Sequence, residues 1–234
     1  FAVVFLTLFV AAAGTAALFA IGDSLAKPHS SAVTGPPDDL SLEVLSIPRD
    51  DGVKVAAWFA KGEDDQGGIL LVHGIRSDRR AMLPRARFLL EAGYSVLLID
   101  LQAHGETTGE WITFGYRESR DVAAGVDYLA SRLGGRPVGV LGVSLGGAAA
   151  LLGDAPVDAD AVVLESVYSS IERAVRNRLT ARLGGLGSVL APLLLWQIEP
   201  RLGVSPNALV PLAAIRHLDA PVMIIGGTVD RRTQ

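Results

Sequence analysis

Short, continuous apolar runs recur along this sequence and alternate with stretches of helical spacing. Residues 69–72 and 96–99 are apolar at every position, which predicts strands that are buried on both faces. Similar runs follow at residues 138–141, 161–164 and 221–225. Strands of this kind occur in parallel sheets that helices cover on both sides. The alternation therefore predicts an α/β fold with a mostly parallel central sheet and helices on both faces.

Two further segments add to this plan. Residues 42–47 and 53–59 are β-rich and are separated by a turn at Asp51-Gly52, which predicts an N-terminal β-hairpin. Residues 183–212 lie between the last two predicted strands and carry only Glu199 and Arg201 as charges. They are too long for an ordinary connection and predict an inserted helical cap. Such a cap would shield an acyl-binding pocket, enter a bilayer or pack on the core.

The N-terminal residues 1–22 contain no charged side chain. As a helix they would extend roughly 33 Å, enough to cross a hydrocarbon core of about 30 Å. We therefore expect a transmembrane anchor over residues 1–22, a Pro- and Ser-rich linker over 23–39 and a folded domain over 40–234. A cleaved signal peptide and a buried core helix are the alternatives. Lys27 is the only base between the anchor and Arg49, which favours a domain outside the cytoplasm.

Composition excludes several classes of function. With 21 basic and 25 acidic side chains the net charge is −4, so the basic surface of a nucleic-acid-binding protein is not expected. The absence of cysteine rules out a disulfide scaffold, a thiolate zinc site and a cysteine nucleophile. The glycine-rich stretches lack phosphate-binding patterns, and the aspartates are scattered. We expect no cofactor and no metal; the expected partners are a small or acylated substrate and a membrane.

The segment Gly142-Val143-Ser144-Leu145-Gly146-Gly147 directly follows a predicted strand and opens a predicted helix. In that context G-x-S-x-G is typical of a nucleophile elbow, because the small residues at 142 and 146 permit a sharp turn that exposes the serine hydroxyl. Ser144 is therefore the predicted nucleophile. A serine nucleophile requires a base, and its reaction requires hydrogen-bond donors for the oxyanion.

The donors are predicted at the end of the neighbouring strand, where Val72-His73-Gly74-Ile75 forms a His-Gly turn. We assign them to the backbone amides of Ile75 and Leu145. His73 and Gly74 are predicted to shape this loop, and His73 is interpreted as structural rather than as the base.

These motifs make residues 40–234 similar to the α/β-hydrolase superfamily, in particular to membrane-anchored serine hydrolases and S33-type serine aminopeptidase-like members. The resemblance is carried by residues 71–74, the loop at 100–107, the elbow at Ser144 and residues 226–230. In the 100–107 loop, Gln102 and Ala103 replace the usual Arg-Gly pair of the family.

The resemblance implies the α/β-hydrolase fold and a triad in the chain order Ser, acid, His. Asp230 matches the acid, and Glu165 is the substitute position. None of the four histidines follows Asp230. We expect a serine hydrolase that cleaves an ester, thioester or amide through an acyl-serine intermediate, with its histidine beyond residue 234. The alternative is a catalytically inactive scaffold that binds a lipid or a protein at the membrane.

Overall fold

The structure, a computed structural model, describes residues 2–63 and 66–227. Its strands are β1 (His29–Ser30), β2 (Glu43–Pro48), β3 (Lys54–Ala60), β4 (Gly68–Val72), β5 (Ser95–Ile99), β6 (His104–Gly105), β7 (Val138–Val143), β8 (Ala161–Glu165) and β9 (Val222–Ile225). Its helices are α1 (Ala2–Ala26), α2 (Leu83–Glu91), α3 (Ser119–Arg132), α4 (Leu145–Leu151), α5 (Ile171–Leu183), α6 (Gly185–Trp196), α7 (Ile198–Leu202) and α8 (Pro211–Ala214). Short 3-10 helices cover Arg79–Met82, Pro206–Ala208 and Ile215–His217.

Seven strands form one sheet in the order β2-β3-β5-β4-β7-β8-β9. The strands from β5 to β9 in this order are parallel to their neighbours, whereas β2 pairs with β3 and β3 with β5 in the antiparallel sense. The predicted mostly parallel sheet is thereby confirmed. The hairpin β2–β3 turns at Gly52, whose φ of +83° is one that glycine adopts without strain.

The central strands bury both of their faces, as their apolar runs indicate. Leu70 and Val72 of β4 belong to a core cluster that α3 and α4 complete. Leu71 points to the opposite face and packs with Met82 and Ala86 on the α2 side. Each of these fully buried aliphatic side chains stabilises the fold by about 1.5–3 kcal/mol, which explains why no polar residue interrupts the run.

A helical insertion, α5 to α8, lies between β8 and β9. It begins at Ile171, earlier than the predicted 183–212, and Ser170 caps α5 by accepting a hydrogen bond from the Arg173 N–H at 3.2 Å. Helices α5 and α6 cross closely at Gly187, where a Cβ would lie 2.5 Å from the Leu179 carbonyl oxygen. Ile198 and Leu209 of the insertion share a buried cluster with α4.

The last turns of α1 contact the rest of the molecule. Ala26 is buried, and its carbonyl oxygen accepts a hydrogen bond from the Ile112 N–H at 2.8 Å. The Arg201 guanidinium of α7 lies 3.2 Å from the Asp23 carboxylate and donates to the Phe19 carbonyl at 3.0 Å. These contacts attach the C-terminal end of α1 both to the segment before α3 and to the helical insertion.

Within the residues that the structure describes, no helix is both long enough and apolar enough to cross a membrane. The anchor expected over residues 1–22 stays a prediction. In the segment predicted as a linker, α1 continues to Ala26 and β1 pairs in parallel with β6, His29 lying opposite His104.

Candidate active site

Ser144 lies at the carboxyl end of β7, where the strand gives way to α4. Its backbone has φ +50° and ψ −106°, which lies outside the regions that L-amino acids ordinarily occupy. The Ser144 N–H donates to the Glu165 carbonyl on the neighbouring β8 at 2.8 Å, and its carbonyl accepts from the Ala148 N–H at 3.0 Å. Strand and helix thus hold Ser144 in a strained backbone conformation at the turn from β7 to α4.

The glycines on either side of Ser144 are required by close backbone approaches. A Cβ on Gly142 would lie 2.5 Å from the Gly147 nitrogen. A Cβ on Gly146 would lie 2.5 Å from the Val72 carbonyl oxygen and 2.7 Å from that of His73. All three distances are shorter than van der Waals contact. The G-x-S-x-G pattern therefore reflects direct packing of the first turn of α4 on its own strand and on the end of β4.

The loop after β4 lies beside the serine. A Cβ built on Gly74 would be 3.7 Å from the Ser144 Cβ, so the two residues lie side by side. Ile75 follows Gly74 and is half-buried, and Leu145 follows Ser144 as the first residue of α4. An N–H at the first position of a helix has no acceptor within that helix. Ile75 and Leu145 thus each follow one of two neighbouring residues, Gly74 and Ser144, and their role as oxyanion donors stays a prediction.

Arg76, which belongs to no recognisable sequence motif, connects this loop to the N-terminal helix. It has a φ of +57°, and its guanidinium donates a hydrogen bond to the Ser24 carbonyl in the last turn of α1. A cation at the C-terminal end of a helix also interacts favourably with the helix dipole. The conformation of the loop beside Ser144 is therefore supported by α1.

His73 is fully buried, and backbone groups engage both of its ring nitrogens. Nδ1 lies 2.8 Å from the Gly74 carbonyl oxygen, and the Leu101 N–H donates to Nε2 at 3.1 Å. Because Nε2 is an acceptor, Nδ1 carries the proton of the neutral ring. Burial lowers the pKa of His73 to about 4. The ring holds the loop in place and has no free nitrogen that could accept a proton from Ser144.

The remaining histidines lie in other surroundings. His104 is buried, its Nδ1 lies 3.0 Å from the Gln102 carbonyl oxygen, and burial lowers its pKa to about 4. Its ring meets that of His73 edge to face at 5.2 Å. His29 and His217 are exposed. Across residues 2–63 and 66–227, none of the four histidines hydrogen-bonds the Ser144 hydroxyl.

Of the two candidate acids, Asp230 and Glu165, the structure describes only Glu165. Asp230 lies outside the described residues. Glu165 ends β8, and its carboxylate binds the Arg85 guanidinium of α2, with Nε 2.9 Å and Nη2 2.6 Å from Oε2. This paired arginine–carboxylate geometry uses the oxygens that would otherwise orient a histidine. In the described part of the chain, no group of three or more acidic or histidine side chains could hold a metal ion.

The loop after β5 is organised around the buried carboxylate of Asp100. This carboxylate accepts hydrogen bonds from the backbone N–H groups of Arg79 at 2.7 Å and Glu106 at 2.9 Å, and it also binds the Arg79 guanidinium. A Cβ on Gly105 would lie 2.1 Å from a carboxylate oxygen, and Gly105 has a φ of +51°. These contacts account for the spacing of Asp100 and Gly105 in the motif and show that the loop is structural.

The chain is similar in sequence to a known protein family and to a curated protein. Residues 69–234 match the model of the Alpha/beta hydrolase family. The uncharacterized protein YqkD of Bacillus subtilis (strain 168) is 25% identical over 192 residues, which are 80% of this chain and 63% of YqkD. The chain thus spans less than two thirds of the length of this curated relative.

Solved structures of esterases are also similar. The Pyrococcus furiosus esterase Pf2001 superposes with a TM-score of 0.67 and 25% identity, covering 90% of this chain and 80% of the esterase. The esterase EaEST of Exiguobacterium antarcticum gives a TM-score of 0.53 at 17% identity, with 82% and 83% covered. At that lower identity the likeness concerns the fold alone.

Proposed function

Because the chain belongs to the alpha/beta hydrolase family, we propose that it is a serine hydrolase that cleaves an ester, thioester or amide bond through an acyl-serine intermediate. The observation that carries the proposal is the strained backbone of Ser144 at the turn between β7 and α4. The likeness to the Pyrococcus furiosus esterase supports hydrolysis of an ester as the first activity to measure.

The proposed reaction proceeds in two steps. The Ser144 Oγ attacks the carbonyl carbon of the substrate while a base takes its proton, and the backbone amides of Ile75 and Leu145 stabilise the oxyanion. The bond to the leaving group then breaks, and the leaving group departs with that proton. In the second step water attacks the acyl carbon and gives its proton to the base. The acid product leaves, and Ser144 recovers its proton.

For the remaining triad members we propose Asp230 as the acid and a histidine after residue 234 as the base. Two observations support this assignment. Backbone groups occupy both nitrogens of His73, and the Glu165 carboxylate is bound to Arg85. Each hydrogen bond to the oxyanion is worth on the order of 2.7–4 kcal/mol in comparable enzymes. Without a base to take the proton of Ser144, however, these donors alone would give only weak catalysis.

Fluorophosphonate labelling of the full-length protein tests the nucleophile. The wild-type protein is expected to be labelled, and the Ser144→Ala variant is not. Ser166→Ala is a matched control, since Ser166 follows β8 at the same edge of the sheet and also has a positive φ, +52°. Equal labelling of Ser144→Ala and wild type would refute the assignment. No labelling of a folded wild-type protein would favour the inactive scaffold.

Two finer parts of the proposal concern substrate and location. The resemblance to serine aminopeptidase-like hydrolases is tested by comparing turnover of an aminoacyl amide with that of p-nitrophenyl esters of increasing chain length. The uncharged run over residues 1–22 supports a membrane anchor. Resistance of the full-length protein to extraction from membranes by alkaline carbonate is the expected result, and release into the soluble fraction would contradict the anchor.

A further inference from the structure

Helix α6 is apolar on both of its sides. Its inner side, which packs on the molecule, holds Gly187, Ala191 and Leu194. Its outer face holds Leu186, Val189, Leu193 and Trp196, which are 69%, 69%, 49% and 68% exposed. At about 100° per residue these four positions fall within about 80° of arc, so they form one stripe. An apolar stripe of this kind on the outside of a helix indicates a surface that receives an apolar partner.

Helix α5, which crosses α6 at Gly187, has the opposite chemistry. Its charged residues are the arginines Arg173, Arg176, Arg178 and Arg182 and the single acid Glu172. Arg173 and Arg182 are exposed. The whole chain has a net charge of −4, so the α5–α6 hairpin is a positively charged region on an acidic protein. The partner of the apolar face is therefore expected to carry negative charge beside an apolar phase.

The C-terminal end of the stripe lies where the apolar helix meets a charged segment. Trp196 is the last residue of α6, and α7, which follows it, carries Glu199 and Arg201. Tryptophan favours such positions at a membrane–water boundary because its ring is apolar and its N–H is polar.

From these three observations we infer that the outer face of α6 binds the interfacial region of an anionic lipid bilayer, and that the exposed arginine of α5 on the same side of the hairpin lies against the lipid phosphates. An amphipathic surface with arginines beside an apolar stripe binds anionic membranes in this way. A second copy of the chain is a poorer occupant, because a two-fold contact through this hairpin would bring like-charged arginines together. The contact lies in the plane of the membrane surface and is independent of catalysis.

The fluorescence of Trp196 tests this contact directly. Trp58 is 1% exposed and Trp111 is half-buried, so Trp196 is the exposed tryptophan of the three in the chain. The full-length protein is mixed with phosphatidylcholine–phosphatidylglycerol vesicles whose acyl chains are brominated. We expect a blue shift and quenching, and we expect the Trp196→Phe variant to lose the quenched component. Binding of the protein without quenching of Trp196 would overturn the inference.

Two sets of variants separate the apolar and the charged parts of the surface. The triple variant Leu186→Ser, Val189→Ser, Leu193→Ser keeps Trp196 and is expected to lose the quenching. Phe88→Ser is the matched control, because Phe88 is 52% exposed on α2 and its loss should leave the quenching unchanged. The substituted side chains are exposed, and far-ultraviolet circular dichroism verifies that each variant is folded.

The charged part is tested with Arg173→Gln and Arg182→Gln, two positions that lie about 180° apart around α5. The substitution on the side of α5 that adjoins the outer face of α6 is expected to raise about fivefold the concentration of anionic vesicles needed to quench Trp196, and the substitution on the opposite side is expected to leave it nearly unchanged. With pure phosphatidylcholine vesicles neither substitution is expected to change the quenching. Equal loss on both lipids would overturn the role of the arginines. Sedimentation velocity without lipid supplies the last comparison. A dimer that the triple serine variant dissociates, together with no quenching in the wild type, would assign the face to a second copy and overturn the inference.

Discussion

Replacing Gly146 by alanine tests the packing that positions Ser144. Gly146 is the second residue of α4, and a Cβ there would lie 2.5 Å from the Val72 carbonyl oxygen and 2.7 Å from the His73 carbonyl oxygen. Both atoms belong to the backbone at the end of β4, in the middle of the sheet. They cannot rotate away as a side chain would, so α4 and β4 must separate to admit the methyl group.

The expected magnitude follows from two opposing effects. Alanine is favoured over glycine in a helix by about 1 kcal/mol, which would stabilise the variant if the site were open. Forcing a methyl group into a closely packed site costs about 1–3 kcal/mol, and here the methyl group meets rigid backbone, which favours the upper end of that range. We expect the free energy of unfolding to fall by about 2 kcal/mol, which corresponds to a decrease in Tm of about 4–8 °C for a domain of this size.

Urea denaturation followed by circular dichroism measures this change. Gly185→Ala is the matched control, since Gly185 opens α6 and has no atom within 4 Å of its added Cβ. That variant is expected to be as stable as wild type or more stable by up to about 1 kcal/mol. Labelling by fluorophosphonate should decrease in Gly146→Ala and remain in Gly185→Ala. A Gly146→Ala protein as stable as Gly185→Ala would refute the close approach of α4 to β4.

Three other predictions follow from the site. Burial lowers the pKa values of His73 and His104 from 6.5 to about 4. Between these two values the unfolded chain binds protons and the folded protein does not. The contribution of the two neutral rings to the free energy of unfolding is therefore complete above about pH 6.5 and is lost as the pH falls toward 4. Urea denaturation should show that the free energy of unfolding falls by about 2 kcal/mol for each ring between pH 7 and pH 5. NMR titrations in which the two rings have midpoints near pH 6.5 would contradict this. In the full-length protein, Glu165→Gln should leave ester turnover within a few-fold of wild type, whereas Asp230→Asn should lower kcat by about 10⁴; equal losses would argue against Asp230 as the acid. Gly74→Ala places a methyl group 3.7 Å from the Ser144 Cβ, which is an ordinary contact distance, so Tm should stay within about 2 °C of wild type. Because the methyl group occupies space beside the serine, kcat/KM should fall by up to about 10²-fold. An unchanged kcat/KM would mean that substrate does not occupy this side of the serine.

The features that the sequence predicted are those with a local cause. The buried strands β4 and β5 lie where the continuous apolar runs predict them, because a strand covered on both faces needs an apolar side chain at every position. The start of the cap was not predicted because four arginines interrupt the apolar positions of α5, and Ile171 and Ala174 are buried through contacts with other elements.

The candidate site divides in the same way. The glycines around Ser144 predict the sharp turn, since the backbone conformation of a short segment depends mainly on its own residues. The pairing of Arg85 with Glu165 and that of Arg76 with the Ser24 carbonyl join residues 80 and 52 positions apart. Nothing in the local pattern of either partner predicts such a pair, because many arginines and acceptors are available in the sequence.

The sequence by itself thus determined the class of fold, the succession of central strands and helices along the chain, and the position of the strained serine. It could do so because apolar periodicity and the placement of glycine act within a few residues. Only the tertiary structure decided which nitrogens of His73 are engaged, which acid is already paired and which face of α6 is left in contact with solvent. Burial and pairing are set by segments distant in the chain, and the pKa of a side chain and the exposure of an apolar face follow from them.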